Sequence, residues 1–372
     1  MRTFTMLLAA ALLAPAAVAQ SKINDSVRKK NGEVIKGLEI TELLLTGVRG
    51  KRGAEPFEIQ AHLVADVAWS DLPDQFIAGK AAMDRGDFRA ATQLFGDVKS
   101  DRPLVKADAE FFQFKAAVAA IGNDLAAAAV AAATASQWLT AHVNHWRTPE
   151  AMLLAGRAQR LAGTGGAAAT TLRELEDRAQ REVFGAVWLA RTKAELALTL
   201  LADGKASEAR ATFQAAGSAA ESALATPSPD DSELRALKTM AKVGEGETFL
   251  SDKDYDKAES YFHSLVGSNQ PELVAAGHVG EGEAIFLKAA AANNLDDIRR
   301  AQIALATGSV LDSQGGEASA KANYYLGRCL LALGQEREGD TFKQRANGYF
   351  QIVISSYATT RWAGLAKQEQ AK

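Results

Sequence analysis

The feature that most constrains the fold is a pentapeptide, VGEGE, which occurs at residues 243–247 and again at 279–283, 36 residues later. Apolar residues around the first copy recur every three to four positions and predict two short helices joined by a polar turn at 251–254. Glycine in a helix interior costs about 1 kcal/mol relative to alanine, so Gly246 indicates that another helix crosses closely there. A single helical hairpin cannot bury its apolar face, and the repetition therefore predicts an array of hairpins.

The same arrangement of small and bulky residues, which we call the frame, recurs along the chain with less sequence identity. Each copy has a small residue in a first helix, a turn rich in glycine, asparagine or aspartate, and a bulky apolar residue in a second helix. The small residues lie at positions 79, 116, 156, 197, 246, 282 and 327. The predicted small–bulky partners are Gly79 with Phe95, Gly156 with Leu172, Ala197 with Phe213, Gly246 with Phe262, and Gly327 with Phe350.

This pattern resembles the tetratricopeptide repeat (TPR) family over roughly residues 74–366. The resemblance implies a mainly α protein, a right-handed α-solenoid of six or seven TPR-like hairpins, with one half at 73–225, a loop at 226–233 and a second half at 234–372. The spacing exceeds the 34-residue period of the family, so the repeats are irregular. The closing run at 346–363 is similar to repeats of bacterial envelope proteins, such as the Tol-associated coordinator and the outer-membrane assembly lipoprotein.

The first 19 residues have the pattern of a secretory signal peptide. Arg2 is followed by an apolar run at 6–13 and by Ala17-Val18-Ala19, a small-x-small cleavage signal. Cleavage is predicted after Ala19, which would place the mature protein in the periplasm or outside the cell. No later stretch approaches the roughly 20 apolar residues of a transmembrane helix, so no membrane span is expected.

Residues 20–72 have a different sequence pattern, which predicts a small β-domain. Short β-branched or alternating runs at 25–30, 34–40, 43–48, 57–59 and 64–69 are separated by glycines, and Asn31-Gly32 is a strong hairpin signal. Four or five strands in a half-open, barrel-like (SH3/Sm-like) domain are expected, similar to N-terminal modules of some exported bacterial repeat proteins. The alternative is a β-rich cap on the first helical pair. Pro73 marks the boundary with the first helix.

The composition and motifs give no sign of catalysis. The net charge is −3 and 23% of the residues are charged, so there is no basic field for nucleic acid. His142 and His145 have a spacing that can bind zinc, but no third ligand is apparent, and Asn144 and Trp146 indicate the end of a helix instead. No nucleophile signature or phosphate loop is found, and the single Cys329 predicts a small buried residue. No enzyme activity, cofactor or metal is expected.

The candidate site is the concave face formed by the first helices of the hairpins. The frame places eight residues on this face, basic in the first half and acidic later: Lys80, Met83, Arg157, Arg160, Glu247, Glu283, Tyr324 and Arg328. Such a face could hold a peptide by charge complementarity and a few apolar pockets. The alternative is that these charges only form a solvated helix face.

Asp230 and Glu233 are spaced as in a capping box at the start of a helix.

These observations predict a non-catalytic exported TPR protein that binds a protein or peptide partner and acts as a scaffold in the bacterial envelope. An alternative is a self-assembling structural component, a homo-oligomer that uses the alanine-rich helices or the region of Tyr357 and Trp362. An enzymatic function has no residue to support it.

Overall fold

The computed structural model describes residues 23–371 apart from 123, 182–183, 313–314 and 335–338. The predicted signal peptide lies outside the described residues. Five strands come first: β1 (Asp25–Lys29), β2 (Val34–Leu44), β3 (Gly47–Arg52), β4 (Glu55–Gln60) and β5 (Val64–Ala68). The helices described after them are α1 (Asp74–Asp84), α2 (Phe88–Gly96), α3 (Pro103–Ala120), α4 (Leu125–Ala141), α5 (Thr148–Leu161), α6 (Gly165–Arg181), α7 (Val187–Ala202), α8 (Ala206–Leu224), α9 (Asp231–Ser251), α10 (Tyr255–Val266), α11 (Pro271–Ala292), α12 (Leu295–Leu311), α13 (Glu317–Leu333), α14 (Gly339–Ser356) and α15 (Arg361–Gln370).

The strands form one antiparallel sheet in the order β4-β3-β2-β1-β5. Gly32, in the turn between β1 and β2, has a positive φ of 88°, as the Asn-Gly hairpin signal predicts. The predicted run at 43–48 is not one strand, because Leu44 pairs with Gly47 across the turn between β2 and β3. β4 and β5 are the two edges of the sheet, which does not close. The barrel-like arrangement expected from the sequence is therefore not confirmed.

The helices form seven successive hairpins, α1–α2 to α13–α14, followed by α15 in the described chain. From α3 to α15, each odd-numbered helix also contacts the next odd-numbered helix. We call the odd-numbered helices the inner layer and the even-numbered helices the outer layer. An array curves toward the layer whose members pack more closely, so the inner layer lines the concave side.

The predicted small–bulky pairs meet inside the hairpins. A Cβ atom added to Gly79 would lie 2.9 Å from the ring of Phe95, and one added to Gly327 would lie 2.5 Å from the ring of Phe350. The equivalent distance from Gly156 to Leu172 is 2.7 Å. Contacts under 3.0 Å leave no room for a side chain, so these positions need glycine for close helix crossing.

The repeated pentapeptide has two glycines because each faces a different hairpin. A Cβ atom on Gly246 would lie 2.4 Å from the ring of Phe262, in the second helix of its own hairpin. A Cβ atom on Gly244 would lie 2.4 Å from the ring of Phe213, in the preceding hairpin. Gly280 repeats the second contact, at 2.3 Å from Phe262. The Phe262 ring thus lies between glycines of two successive inner helices.

The sheet and the first helices share one hydrophobic core. Val27, Leu38 and Val48 of the sheet belong to the same buried cluster as Phe76 of α1 and Phe111 of α3. The sheet is therefore not an isolated module, and its core extends well beyond the first helical pair.

The sheet also lies along the N-terminal ends of four inner helices. The buried Asp25 carboxylate accepts hydrogen bonds of 3.0 and 2.6 Å from Arg102, just before α3. The backbone nitrogen of Leu45 donates to the oxygen of Asn144, before α5, at 2.6 Å. His62 and Leu63 face Gly185–Val187, at the start of α7, across a cavity. Lys30 forms a 2.9 Å ion pair with Asp230, before α9.

The Asp230 pairing also corrects the predicted capping box. Asp230 is the N-cap residue of α9, but its side chain makes no capping hydrogen bond. Its carboxylate contacts Lys30 instead, and Glu233 forms an ion pair with Arg191 of α7. Both acidic groups therefore join separate parts of the fold.

Among the described helices, none has the length and apolar character required to cross a membrane.

Candidate binding face on the inner helices

All eight predicted residues lie on inner-layer helices, but the structure divides them into three groups. Lys80 and Met83 lie on α1, and Arg157 and Arg160 lie on α5. The third group comes from three helices and comprises Glu247 of α9, Glu283 of α11, and Tyr324 and Arg328 of α13. The groups differ in burial and in what they contact, so their chemical capacities differ as well.

The α1 group covers the core of the first hairpins. The Lys80 ammonium lies 4.1 Å from the centre of the Phe112 ring, a cation–π contact. Met83 is partly buried against the cluster that the sheet shares with the first helices. Both side chains are partly exposed and offer mainly an apolar surface with one positive charge.

The α5 group is a pair of guanidiniums held by one buried carboxylate. Arg157 donates to Oε2 of Glu195 through Nε and Nη2, at 3.1 and 2.9 Å. Arg160 donates to Oε1 of the same residue through the equivalent atoms, at 3.0 and 2.7 Å. The Glu195 side chain, on α7, is only 3% exposed, whereas that of Arg157 is 46% exposed. The double fork fixes both cations on the inner face.

Burial raises the pKa of the Glu195 carboxyl, but the two guanidiniums outweigh burial and lower this pKa overall. Glu195 is therefore ionised at neutral pH, and the three groups carry a net charge of +1. Nη1 of Arg157 and Nη1 of Arg160 make no hydrogen bond to the described residues. Partly buried Leu153, Leu198 and Leu201 belong to the neighbouring apolar cluster. This place can accept an anionic group beside an apolar one.

The third group is organised around a buried lysine. Lys321 of α13, whose side chain is only 7% exposed, forms ion pairs with Glu247 and Glu283. The Tyr325 hydroxyl donates to Glu283 at 2.6 Å, and Arg361 of α15 lies 3.8 Å from Glu247. These contacts join α9, α11, α13 and α15 through charged side chains.

The pKa values in this group follow from burial and charge together. Burial raises the pKa of Glu283; Lys321 opposes this, Glu247 adds to it, and the pKa is raised overall. Burial lowers the pKa of Lys321, but the two carboxylates outweigh it and the pKa is raised. Burial, with the Glu283 charge, also raises the pKa of Tyr325.

Two predicted contact residues are buried. Glu283 is enclosed by Lys321 and Tyr325, and Tyr324 packs 5.4 Å from Trp362, measured between ring centres. The sequence frame expected both on an open face; the expectation is wrong in this respect, because residues of α13 enclose Glu283 and Trp362 of α15 covers Tyr324. Arg328 remains partly exposed, with its guanidinium 5.0 Å from the centre of the Phe286 ring.

Sequence reasoning missed Glu195 and Lys321, the residues that organise the second and third groups. Lys321 is the only charged residue between Glu317 and Arg328, and Glu195 is the only acidic residue of α7. Glu195 lies 38 residues after its partner Arg157, and Lys321 lies 38 residues after Glu283, close to one repeat length. Opposite charges one repeat apart on inner helices were the signal that would have found them.

The histidines form no metal centre in the described part of the chain. No group of three or more His, Cys, Asp or Glu residues there is arranged to hold a metal. His142 lies 3.5 Å from Glu110, and Nδ1 of buried His145 accepts from the nitrogen of Arg147. Burial, with the Arg147 and His142 charges, lowers the pKa of His145 to about 3. Cys329 is fully buried, as predicted.

No family model matches the chain, and no curated protein matches it in sequence. Solved structures similar to it include the apo form of RapI, with a TM-score of 0.48, 10% identity, and coverage of 80% of this chain and 84% of that chain. The apo form of the quorum sensor NprR from B. thuringiensis has a TM-score of 0.46 and 13% identity, with coverage of 75% of this chain and 85% of that chain. A Rap protein complexed with Competence and Sporulation Factor has a TM-score of 0.42 and 13% identity, with coverage of 74% of this chain and 75% of that chain. Similarity at this level carries no argument about what this chain binds.

Proposed function

We propose that this protein is a non-catalytic scaffold of the bacterial envelope that binds a protein or peptide partner on its inner layer. The seven hairpins provide a long concave face, which suits an extended or helical peptide. The sequence pattern of residues 1–19 supports export to the periplasm or the cell exterior.

The observation that carries the proposal is the pair of guanidiniums on α5. Arg157 is half-exposed and held by a carboxylate on α7, so little side-chain entropy is lost when it binds an anion. The partly buried leucines beside it suit an apolar neighbour in the ligand. We infer that the partner presents an acidic residue next to an apolar one at this position.

The test is selection of peptides from a random displayed library with the mature chain, followed by affinity measurement. Peptides bound by the wild type should carry acidic residues beside apolar ones. Arg157→Glu should weaken their binding at least tenfold, because it replaces the exposed cation while Arg160 still pairs with Glu195. Arg299→Glu, on the outer layer at α12, is the matched control and should bind normally. Equal affinity for the wild type and the Arg157 variant would exclude this site.

Export is tested separately. Cell fractionation and N-terminal sequencing of the protein expressed in a Gram-negative host should find a mature chain that begins at Gln20 in the periplasm or medium. A cytoplasmic chain with an intact leader would contradict the proposed location without affecting the peptide site.

Self-assembly remains a second candidate because of one observation on α4. This outer-layer helix contains no charged residue between Leu125 and Ala141, and the side chains of Leu125 and Val130 are both largely exposed. The other surface predicted for assembly is less available, because Trp362 is buried. Light scattering during size-exclusion chromatography tests the idea: a dimer that Val130→Glu dissociates would support it, and a monomer at all concentrations would refute it.

A further inference from the structure

A cavity separates the sheet from the middle of the helical array. It has a volume of about 480 Å³ and lies between the β1–β2 turn, the residues after β4, and the loops before α7 and α9. Gly185 and His62, both in its wall, come close to each other, since a Cβ atom added to Gly185 would lie 3.6 Å from that of His62. Small-molecule sites typically have volumes of about 300–1,000 Å³ and often lie between structural units. The size and the place of the cavity therefore fit a ligand site that is separate from the inner face.

The wall of this cavity is mainly apolar. Val187 of α7 and Leu234 of α9 are both 1% exposed and belong to a buried cluster against which Ala223 of α8 packs. Leu63, which is 42% exposed, lines the cavity from the side of the sheet. The core of the sheet is a separate buried cluster, so the cavity is a gap between two hydrophobic cores. An apolar lining of this size favours the hydrophobic body of a ligand over bound water.

The charged groups that border the cavity are balanced by their neighbours. Lys30 and Asp230 both line it and form a 2.9 Å ion pair with each other. Lys29 also lines it and forms a 3.0 Å ion pair with Glu33, between β1 and β2. The two lysines and the two carboxylates therefore carry no net charge. A charged ligand would lose its hydration in the cavity without gaining an unpaired counter-ion.

Two polar side chains in the wall are available for hydrogen bonds. The His62 imidazole and the Thr226 hydroxyl line the cavity and make no hydrogen bond to the described residues. An imidazole and a hydroxyl can each donate or accept a hydrogen bond. A ligand with one hydroxyl or carbonyl group can therefore find a partner for it in the wall.

From the volume of the cavity, its apolar wall and its balanced charges, we propose a binding site for an uncharged small molecule that has an apolar body and one hydroxyl or carbonyl group, such as a bicyclic aromatic alcohol. The apolar body lies against Val187 and Leu234, and the polar group lies toward His62 and Thr226. Because the wall includes the β1–β2 turn, α7 and α9, such a ligand contacts both the sheet and the array and stabilises the folded chain.

Isothermal titration calorimetry of the mature chain with 1-naphthol, 1-naphthoate and 1-naphthylmethylammonium at neutral pH tests this assignment. The three probes share one ring system, and only 1-naphthol is uncharged. It should bind with one site per chain and at least fivefold more tightly than either ion, because neither ion finds an unpaired counter-ion in the wall. No binding of 1-naphthol, or equal binding of one of the ions, would overturn the proposal.

Two variants that fill the cavity locate the site. Ala223→Phe and Thr226→Trp each introduce a ring at the cavity wall, and each should weaken 1-naphthol binding at least tenfold. Ala211→Phe, at an exposed position of α8 that does not line the cavity, is the control and should bind 1-naphthol normally. Thr226 is exposed, so its variant should fold even if the Ala223 variant does not. Undiminished binding by a folded Thr226 variant would refute the location.

Discussion

Lys321 of α13 forms an ion pair with Glu247 of α9, two hairpins away and 74 residues earlier in the chain. In a repeat array each unit ordinarily contacts only its neighbours, so this pair couples hairpins that would otherwise be independent. Glu283 of α11, between them, binds the same ammonium. The second half of the array is therefore joined through one buried cation.

Replacing this cation should be costly. Lys321→Met leaves two carboxylates without their partner, one of them buried, and should lower the free energy of unfolding by about 3–5 kcal/mol. The measurement is urea unfolding at neutral pH. Lys288→Met removes a lysine that pairs with Asp256 on the exposed surface and should change stability little. Similar losses in the two variants would show that the buried cluster contributes nothing special.

The effect of Lys321→Met should depend on pH in a defined direction. The pKa of Glu283 is already raised in the folded protein, chiefly by burial, and loss of the lysine raises it further. A carboxyl with a raised folded pKa favours the folded state below its unfolded pKa, and this contribution is lost as the pH rises through the folded pKa. The variant should therefore be closer to wild type at pH 4.5 than at pH 7. A constant difference across this range would contradict this account.

Glu195 should give the opposite pH dependence. Its pKa is lowered in the folded protein because the two guanidiniums outweigh burial, so its contribution is present above the unfolded pKa and lost as the pH falls. Glu195→Gln should be less stable than wild type at pH 7, and the difference should shrink on acidification below about pH 4.5, where a glutamate side chain in the unfolded chain begins to take up its proton. Thermal melts from pH 7 to pH 3 measure this. A difference that grows in acid would exclude the proposed pairing.

Two helical glycines provide a matched test of the packing. Gly246→Ala places a methyl group against the Phe262 ring and should destabilise by about 1–3 kcal/mol. Gly348→Ala, in the middle of α14 with no atom within 4 Å of the added carbon, should stabilise by up to about 1 kcal/mol. Chemical denaturation of both variants checks the signs. If both substitutions stabilise, the close crossing at Phe262 is wrong.

The contact between the sheet and the array can be tested at Arg102. Arg102→Met removes both hydrogen bonds to the fully buried Asp25 carboxylate, leaving it the hydroxyl and backbone nitrogen of Ser70 and the nitrogen of Ile40. The expected loss is about 3–5 kcal/mol, with faster proteolysis both in the sheet and near α3. Arg49→Met, whose partner Glu58 is on the exposed β3–β4 hairpin, should have little effect on stability. Proteolysis confined to the sheet would mean that it unfolds alone.

The hairpins were predictable because their signals are local. A small residue and a bulky residue about sixteen positions apart, as in Gly246 and Phe262, define a crossing whatever the rest of the chain does. Five strands were also within reach, since Asn31-Gly32 marks a turn by its own backbone preference. Closure of the sheet was not, because alternation along a strand says nothing about whether the edges meet.

The contacts that organise the candidate site come from distant parts of the chain. Asp230 has the local spacing of a capping residue, yet Lys30, 200 residues earlier, binds its carboxylate. The frame located Arg157 correctly on an inner helix but not the Glu195 carboxylate that holds it. Periodicity gives the face on which a side chain lies, whereas the partner across that face depends on how successive hairpins are rotated.

The sheet that lies along α3, α5, α7 and α9 has a mechanical consequence. A helical array flexes by small rotations between neighbouring hairpins, which change the curvature of the whole array. Because the sheet contacts four successive inner helices, it restricts these rotations in the first half of the array and leaves the hairpins beyond α9 free to rotate. We therefore expect the part of the inner face around Arg157 to keep its shape when the proposed partner binds. The later hairpins should instead rotate toward the partner.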